Sequence, residues 1–188
     1  MTIVDKNMVK RVTHVIYSGL GGHAAVMMAL LEAGLFKNAK HHVILAGVEP
    51  PLRDYTNWLD DRSIPWTYVG KKPGRARLQF YSELRKLFLS QTPDIIFLNG
   101  LAAVPATIGL RRPFVLLRES EPVQLKRNSE WALLALAHAT VDRIVHLTPE
   151  AADGAKAMLG PFVRSRKVDI IPNGIDTQLF MRKSSRSL

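Results

Sequence analysis

Residues 12–35, VTHVIYSGLGGHAAVMMALLEAGL, contain the two patterns that decide the fold. Val12–Ser18 is short and mostly apolar, as expected for a strand buried on both faces of a sheet. Gly22–Leu35 is so rich in Ala, Val, Met and Leu that it predicts a helix covered on almost every side. The glycine-rich loop Ser18–His23 joins the two segments. A strand, a glycine turn and a helix in this order indicate the first unit of a parallel α/β fold.

The same alternation continues along the chain to residue 171. Helices are predicted at Arg75–Gln91, from an amphipathic stripe, and at Ala151–Leu159, after the N-cap residue Thr148. The further strands are predicted at His42–Gly47, Trp66–Val69, Ile95–Asn99, Phe114–Arg118, Arg143–Leu147 and Val168–Ile171. We therefore expect a Rossmann-like α/β fold, with a mostly parallel sheet of about seven strands and helices on both faces.

The length of 188 residues fits one domain, and no repeat or low-complexity linker divides the sequence. We expect this domain to comprise residues 1–180, and residues 181–188 to be a polar tail or the start of a missing second domain. The chain has no cysteine, no signal-peptide pattern and no apolar run of about 18 residues, which favours a cytoplasmic protein.

The net charge of +10 is the least ordinary feature of the composition, and it favours an anionic partner. Anionic lipid, a phosphorylated substrate and nucleic acid all fit this charge, and solubility alone is the structural alternative. The three tryptophans are scattered and are not interleaved with basic residues, which argues against single-stranded nucleic acid.

The loop after the first predicted strand is the first candidate site, because ligands bind at the carboxyl ends of parallel strands. Its glycines let a ligand approach the backbone, and the free N–H groups of the following helix attract anionic oxygen. A glycine turn that merely fits the helix against the sheet is the structural alternative. Gly19, Gly21 and Ala24 also satisfy a relaxed dinucleotide fingerprint, but the acidic residue that should follow the second strand, Glu49, comes late. An oxidoreductase that binds NAD or FAD is therefore an alternative function.

Polar residues also end the fourth and fifth predicted strands, at Asn99 and at Arg118-Glu119. An arginine beside carboxylates can position a hydroxyl or a phosphate, and an internal ion pair that closes the loop is the alternative.

The six histidines show no metal-ligand spacing, so we predict no metal site. His23 is the one that we place near the cleft. His138 and His146 are expected to be structural histidines with satisfied hydrogen bonds.

The stretch VDIIPNGIDTQLF, Val168–Phe180, resembles the segment that ends the N-terminal domain in glycosyltransferase family 4, the retaining enzymes of the GT-B fold. The Gly21-Gly22 loop, TPDIIFLNG at Thr92–Gly100 and RIVHLTPEAADG at Arg143–Gly154 are similar to that domain in order and spacing. The resemblance covers nearly the whole chain. It implies one half of a GT-B fold and an interdomain turn at Asn173, Gly174 and Asp176.

The resemblance also implies retaining transfer of a sugar from a nucleotide-sugar donor, with no cofactor and no obligatory metal, in a cleft between two domains. By position, Gly21 and Gly22 would approach the donor diphosphate or the acceptor, and Arg118 and Glu119 would orient the acceptor. Glu119 is the only candidate base, and the catalytic residue is otherwise unassigned. The expected substrate-binding residues are Gly21, Gly22, His23, Asn99, Arg118 and Glu119.

The family's second domain binds the donor, and nothing after Phe180 can encode it. We therefore expect the chain to be inactive without a C-terminal donor-binding domain or a partner chain; a non-catalytic subunit of a split glycosyltransferase is the alternative. The family's acceptors are glycans or lipid-linked glycans. The basic charge is accordingly expected to hold the domain at the anionic inner face of a membrane.

Overall fold

The computed structural model describes residues 9–19, 22–72 and 77–174. The predicted site residues Gly21 and Asp176 lie outside these ranges. Strands and helices alternate in the order β1 (Arg11–Tyr17), α1 (Gly22–Glu32), β2 (Lys40–Gly47), α2 (Arg53–Asp61), β3 (Trp66–Gly70), α3 (Arg77–Gln91), β4 (Ile95–Asn99), β5 (Phe114–Glu119), α4 (Asn128–Thr140), β6 (Arg143–His146), α5 (Pro149–Leu159) and β7 (Val168–Ile170).

The seven strands form one sheet in the order β3-β2-β1-β4-β5-β6-β7, and every neighbouring pair is parallel. The Rossmann-like fold class predicted from the sequence is confirmed. All seven predicted strands are present, with ends that differ by at most two residues.

Apolar side chains cover both faces of the sheet, which is why its strands are nearly continuous apolar runs. On one face, β1 and β2 pack with α1 and α2 around residues such as Met27 and Leu59. On the other face, α3 and α4 contribute Phe80, Leu84 and Leu134, which are almost fully buried. The 3₁₀ helix Leu101–Thr107 completes this second layer.

The prediction that α1 is covered on almost every side is wrong. Only Ala24 and Met27 are buried in this helix, and Ala25 and Ala29 are exposed. Alanine favours a helix wherever it stands, because it loses no side-chain entropy there, so an alanine-rich run does not by itself predict burial.

The N-terminus of α5 forms as its sequence predicts. Thr148 adopts an extended backbone, and its side chain accepts a hydrogen bond from the Ala151 N–H, with Pro149 as the first helical residue. Within the described ranges, no helix has the length and apolarity needed to cross a bilayer.

The order of the strands fixes where a ligand can bind. The chain runs outward from β1 to β3 and then returns to place β4 on the other side of β1. In an open parallel sheet, the carboxyl ends of the two strands at such a reversal border a crevice. The residues that follow β1 and β4 are therefore the walls of the candidate site.

Candidate functional site

The carboxyl ends of β4, β5 and β6 carry aligned polar residues. Asn99 pairs in register with Arg118, and Glu119 pairs with His146. The chain turns sharply after Asn99, where Gly100 has a φ of 102° and its N–H donates to the Arg118 carbonyl at 3.0 Å. Asn99, Arg118 and Glu119 are 8%, 6% and 3% exposed, so the polar groups of this edge are largely removed from bulk solvent.

His23, in the first turn of α1, lies against the same edge. A Cβ added to Gly100 would lie 3.9 Å from the His23 Cε1 atom. Burial lowers the pKa of His23, the Arg118 cation lowers it further, and Glu119 and a hydrogen bond that the His23 ring donates to the Asn99 backbone act in the opposite direction. The structure thus brings together four predicted residues, which we call the polar half of the site: His23, Asn99, Arg118 and Glu119.

Gly22 begins α1 beside the polar half. A Cβ added there would find no atom within 4 Å, so the space above its backbone is open. This position fits the approach of a ligand to the free N–H groups at the start of the helix.

Arg118 is held by a residue of the predicted interdomain turn. Its Nη2 atom donates to the Asn173 Oδ1 atom at 2.6 Å. Asn173 and Gly174 are exposed, just after β7. Burial lowers the pKa of Arg118 and Glu119 raises it, but an arginine keeps its charge in proteins. The turn that the family resemblance singled out therefore touches the polar half directly.

Glu119 is one partner of a buried ion pair. Its Oε1 atom accepts from Lys126 Nζ at 2.8 Å and from the Glu121 N–H at 2.8 Å, and the two charged side chains are 2% and 3% exposed. Lys126 Nζ also donates to the Glu121 carbonyl at 2.9 Å. An ion pair does close this loop, as one sequence interpretation allowed, but its cation is Lys126 and not Arg118. Lys126 was not predicted to belong to the site, because nothing in the sequence distinguishes it from the many other cations of the chain.

Several buried polar atoms of the site have no hydrogen-bond partner among the described residues. They are both amide atoms of Asn99, Glu119 Oε2, His23 Nδ1 and both ring nitrogens of His146. Buried groups of this kind are rare, and a catalytic role or a bound water or ion is a common explanation for them. A polar ligand bound at the polar half could supply the missing hydrogen bonds of these atoms.

The expectation that His138 and His146 have satisfied hydrogen bonds is wrong. Neither ring nitrogen of His146 has a partner in the described part of the chain, and His138 pairs only through Nδ1, which accepts from the Arg164 N–H at 3.4 Å. Burial lowers the pKa of His138 to about 4, and the nearby His146 and Lys167 lower it too. Among the residues that the structure describes, no three or more His, Cys, Asp or Glu side chains are grouped so that they could hold a metal ion.

Comparison with known proteins gives the family and the fold. The family model described as Glycosyltransferase Family 4 matches residues 20–179. The search of curated proteins returned no match.

Solved structures with two different activities are similar to the chain. One is HepE of Anabaena, solved with UDP and glucose, with a TM-score of 0.68 and 16% identity over 91% of this chain and 46% of HepE. Another is the lipopolysaccharide outer core galactosyltransferase WaaB, with a TM-score of 0.69 and 10% identity over 88% of this chain and 46% of WaaB. A third is UDP-GlcNAc 2-epimerase of Methanocaldococcus jannaschii, with a TM-score of 0.61 and 16% identity over 87% of this chain and 45% of the epimerase. The chain spans about half the length of each, and identities this low show the fold alone.

Proposed function

The chain belongs to glycosyltransferase family 4, and we propose that it is the acceptor-side half of a retaining enzyme that transfers a sugar from a nucleotide-sugar donor to a glycan or lipid-linked acceptor. One observation carries this proposal. At the point where the strand order reverses, His23, Asn99 and Glu119 converge with buried polar atoms that lack partners in the described chain. A crevice at this point of a parallel sheet is where such a fold binds its substrate.

The donor diphosphate is proposed to lie at the start of α1. Open space above Gly22, the free N–H groups of the helix and the Arg118 cation all favour negative charge there. These groups stabilise the charge that develops on the leaving diphosphate, and the proposal includes no cofactor and no obligatory metal. HepE was solved with UDP, which favours a UDP-sugar as the donor.

The proposed reaction exchanges one C–O bond for another. The bond between the anomeric carbon and the donor's phosphate oxygen breaks, and the nucleoside diphosphate leaves with the bonding electrons. The acceptor's hydroxyl oxygen bonds to the same carbon, with retained configuration, and its proton passes to a base. Glu119 Oε2 is the candidate for this base, because Lys126 and the Glu121 N–H hold only the other oxygen.

Activity is proposed to need a second, donor-binding domain or partner chain. The chain matches 46% of HepE and 46% of WaaB, so the rest of those proteins has no counterpart in it. A non-catalytic subunit of a split transferase fits the same observations. An oxidoreductase that binds NAD or FAD is not favoured, because the family match covers residues 20–179.

Transfer of a radiolabelled sugar tests the proposal. We expect transfer from UDP-sugars to a glycan extract by the protein purified from its native source, and none by the 188-residue chain alone. Glu119→Gln in the native protein should lower kcat at least about 100-fold, as expected for loss of a general base. Glu121→Gln changes a neighbouring carboxylate and should retain activity. Equal loss in both variants, or an inverted anomeric configuration in the product, would contradict the proposal.

We also propose that the domain binds the anionic inner face of a membrane through the surface at the end of α5. Lys156, Arg164 and Arg166 are exposed there, and so are Met158 and Phe162, at 60% and 67%. Cations beside exposed apolar side chains favour anionic lipid head groups. Lys126 does not contribute to a surface of this kind, because its ammonium is buried against Glu119.

Sedimentation with liposomes tests the membrane proposal. Wild type should pellet with anionic liposomes and less with neutral ones, and salt should weaken the binding. The double variant Arg164→Glu/Arg166→Glu should bind at least about ten-fold more weakly, since each cation contributes about 1 kcal/mol. Arg111→Glu/Arg112→Glu makes the same change of charge at another exposed site and is the control. Equal pelleting with both kinds of liposome would contradict the proposal.

A further inference from the structure

Two tyrosines and a glutamate occupy the other half of the same sheet edge, at the ends of β1, β2 and β3. Tyr17 ends β1 and is 37% exposed, and Tyr68 in β3 is 36% exposed. Glu49 is exposed in the loop that follows β2. We call these three residues the tyrosine rim. The proposed transferase site does not use them.

Glycines hold the rim in place. A Cβ added to Gly19 would lie 1.9 Å from Glu49 Oε2 and 2.8 Å from the Tyr17 ring, and one added to Gly47 would lie 2.9 Å from that ring. A Cβ on Gly70 would lie 3.4 to 3.5 Å from the hydroxyl end of Tyr68. The Tyr17 ring and the Glu49 carboxylate thus occupy space that side chains at Gly19 and Gly47 would need. Gly70 lies next to the Tyr68 side chain.

Hydrogen bonds fix the same groups. The buried Ser18 hydroxyl donates to the Glu49 carbonyl at 2.6 Å, which ties the loop after β2 to the end of β1. The Tyr68 hydroxyl donates to the Gly47 carbonyl at 3.3 Å. Partial burial raises the pKa of Tyr17, and the charge of Glu49 and its hydrogen bond with the Tyr17 side chain raise it further. The rim is therefore ordered before any ligand arrives.

We propose that the tyrosine rim binds an uncharged sugar ring of the acceptor. The C–H face of a pyranose packs on an aromatic ring as other apolar surfaces do, and carboxylate oxygens accept hydrogen bonds from sugar hydroxyls. In the described part of the chain, no cation lies within ion-pair distance of Glu49, so its carboxylate has capacity for hydroxyl donors. The same charge repels phosphate, which distinguishes the rim from the polar half across the crevice.

This inference rests on the proposed function, since it assigns the acceptor's saccharide to a definite part of the crevice. Strand β1 lies between β2 and β4, so a ligand on the rim lies beside the end of the strand that precedes α1. A sugar held at Tyr17 therefore lies at the end of the strand that leads to Gly22, where the diphosphate is proposed to bind. The rim orients the acceptor, and the polar half carries the reacting groups.

Nuclear magnetic resonance of protein with ¹³C-labelled tyrosine rings tests the inference, with methyl β-glucoside and methyl β-galactoside as probes. The chain has four tyrosines, so Tyr55 in α2 and Tyr81 in α3 serve as internal controls. We expect saturable shifts of the Tyr17 and Tyr68 ring signals with at least one glycoside, and none for the two controls. Inorganic phosphate should leave all four unchanged.

Variants and a second ligand complete the experiment. Glu49→Gln should weaken glycoside binding about ten-fold, as expected for the loss of charge-assisted hydrogen bonds, and Glu83→Gln on α3 should not change it. Titration of the same sample with UDP should shift the amide signals of Gly22 and Asn99. If UDP shifts those signals and no glycoside shifts the tyrosines, the inference fails and the proposed function stands. If glycosides shift the tyrosines and UDP has no effect, the sugar site stands and the proposed position of the donor diphosphate at Gly22 fails.

Discussion

The two halves of the crevice are built in opposite ways. In the polar half, Arg118 and Glu119 are 6% and 3% exposed, and their positions depend on the exposed Asn173 and the buried Lys126. In the tyrosine rim, more than a third of each tyrosine is exposed, and glycines and backbone carbonyls position the rings. Buried charges give strong, directed electrostatic interactions but lose their hydration, whereas exposed aromatic rings give a weaker, apolar contact surface. The difference agrees with the proposed roles, in which the polar half carries the reacting groups and the tyrosine rim binds the acceptor sugar.

Removing the buried cation should have the largest effect. Lys126→Met leaves the Glu119 charge buried without its partner, and we expect the free energy of unfolding to fall by about 3–5 kcal/mol. Glu32→Gln is the control, because it removes a charge from the exposed Arg62–Glu32 pair, where we expect a loss of at most about 1 kcal/mol. Urea denaturation of both variants gives the comparison. Equal losses of unfolding free energy in the two variants would mean that the Lys126–Glu119 pair is as exposed to solvent as the Arg62–Glu32 pair.

Replacing one glycine of each half by alanine should have different effects on stability, because the space around the two glycines differs. Gly47→Ala places a Cβ 2.3 Å from the Ser18 hydroxyl oxygen and should destabilise the domain by about 1–3 kcal/mol. Gly22→Ala meets no atom within 4 Å, and a helical alanine should leave stability unchanged or raise it by up to about 1 kcal/mol. Thermal unfolding measures both. Weaker UDP binding by a stable Gly22→Ala variant would support close approach of the donor to this backbone, and unchanged binding would remove Gly22 from the site.

Acid should destabilise the strand beneath the tyrosine rim. His14 in β1 is fully buried, its Nε2 lies 3.0 Å from His41 Nδ1, and burial followed by the charge of His41 lowers its pKa to about 3. Between this value and the ordinary pKa of about 6.5, the unfolded state binds more protons than the folded state, so stability falls as pH falls. From pH 7 to pH 5 this group should remove on the order of 2 kcal/mol.

The slope of stability against pH is the measurement for this prediction, because the absolute stability of a core variant can change for other reasons. His14→Leu should flatten the slope between pH 7 and pH 5. An unchanged slope would show that the acid sensitivity lies elsewhere, for example at His138 beneath the polar half, whose pKa is lowered to about 4.

The smallest effect is expected at the rim itself. Tyr68→Phe removes the hydroxyl that donates to the Gly47 carbonyl at 3.3 Å, at an exposed position, and should cost about 0.5–1 kcal/mol. Urea denaturation checks this value. A loss as large as that of Lys126→Met would mean that the rim is part of the core and not a recognition surface.

The sequence predicted the sheet well because the signal for a buried parallel strand is local. Val12–Ser18 and Ile95–Asn99 each show an apolar run that ends in a polar residue or a glycine, and the structure places strands at both. The same reasoning correctly placed Asn99, Arg118 and Glu119 at one edge of the sheet, because the carboxyl ends of parallel strands meet there.

The partners of these residues were not predictable in the same way. Arg118 and Asn173 are separated by 55 positions, and Lys126 reaches Glu119 across a loop that the sequence left without a structure. Contacts of this kind depend on the path of the loops, which the hydrophobic periodicity of the sequence does not predict. Tyr17 was predicted only as a residue of the first strand. The structure shows that its ring lies against Gly47 at the carboxyl edge of the sheet.

A crystal structure of the protein with UDP and a methyl glycoside tests the central claim most directly. We predict that the diphosphate lies at the first turn of α1, within hydrogen-bond distance of the Gly22 N–H and beside Arg118. The glycoside ring should lie on Tyr17 and Tyr68, with a hydroxyl on Glu49. Ligands bound at the amino ends of the strands, or a diphosphate on the tyrosine rim, would contradict it.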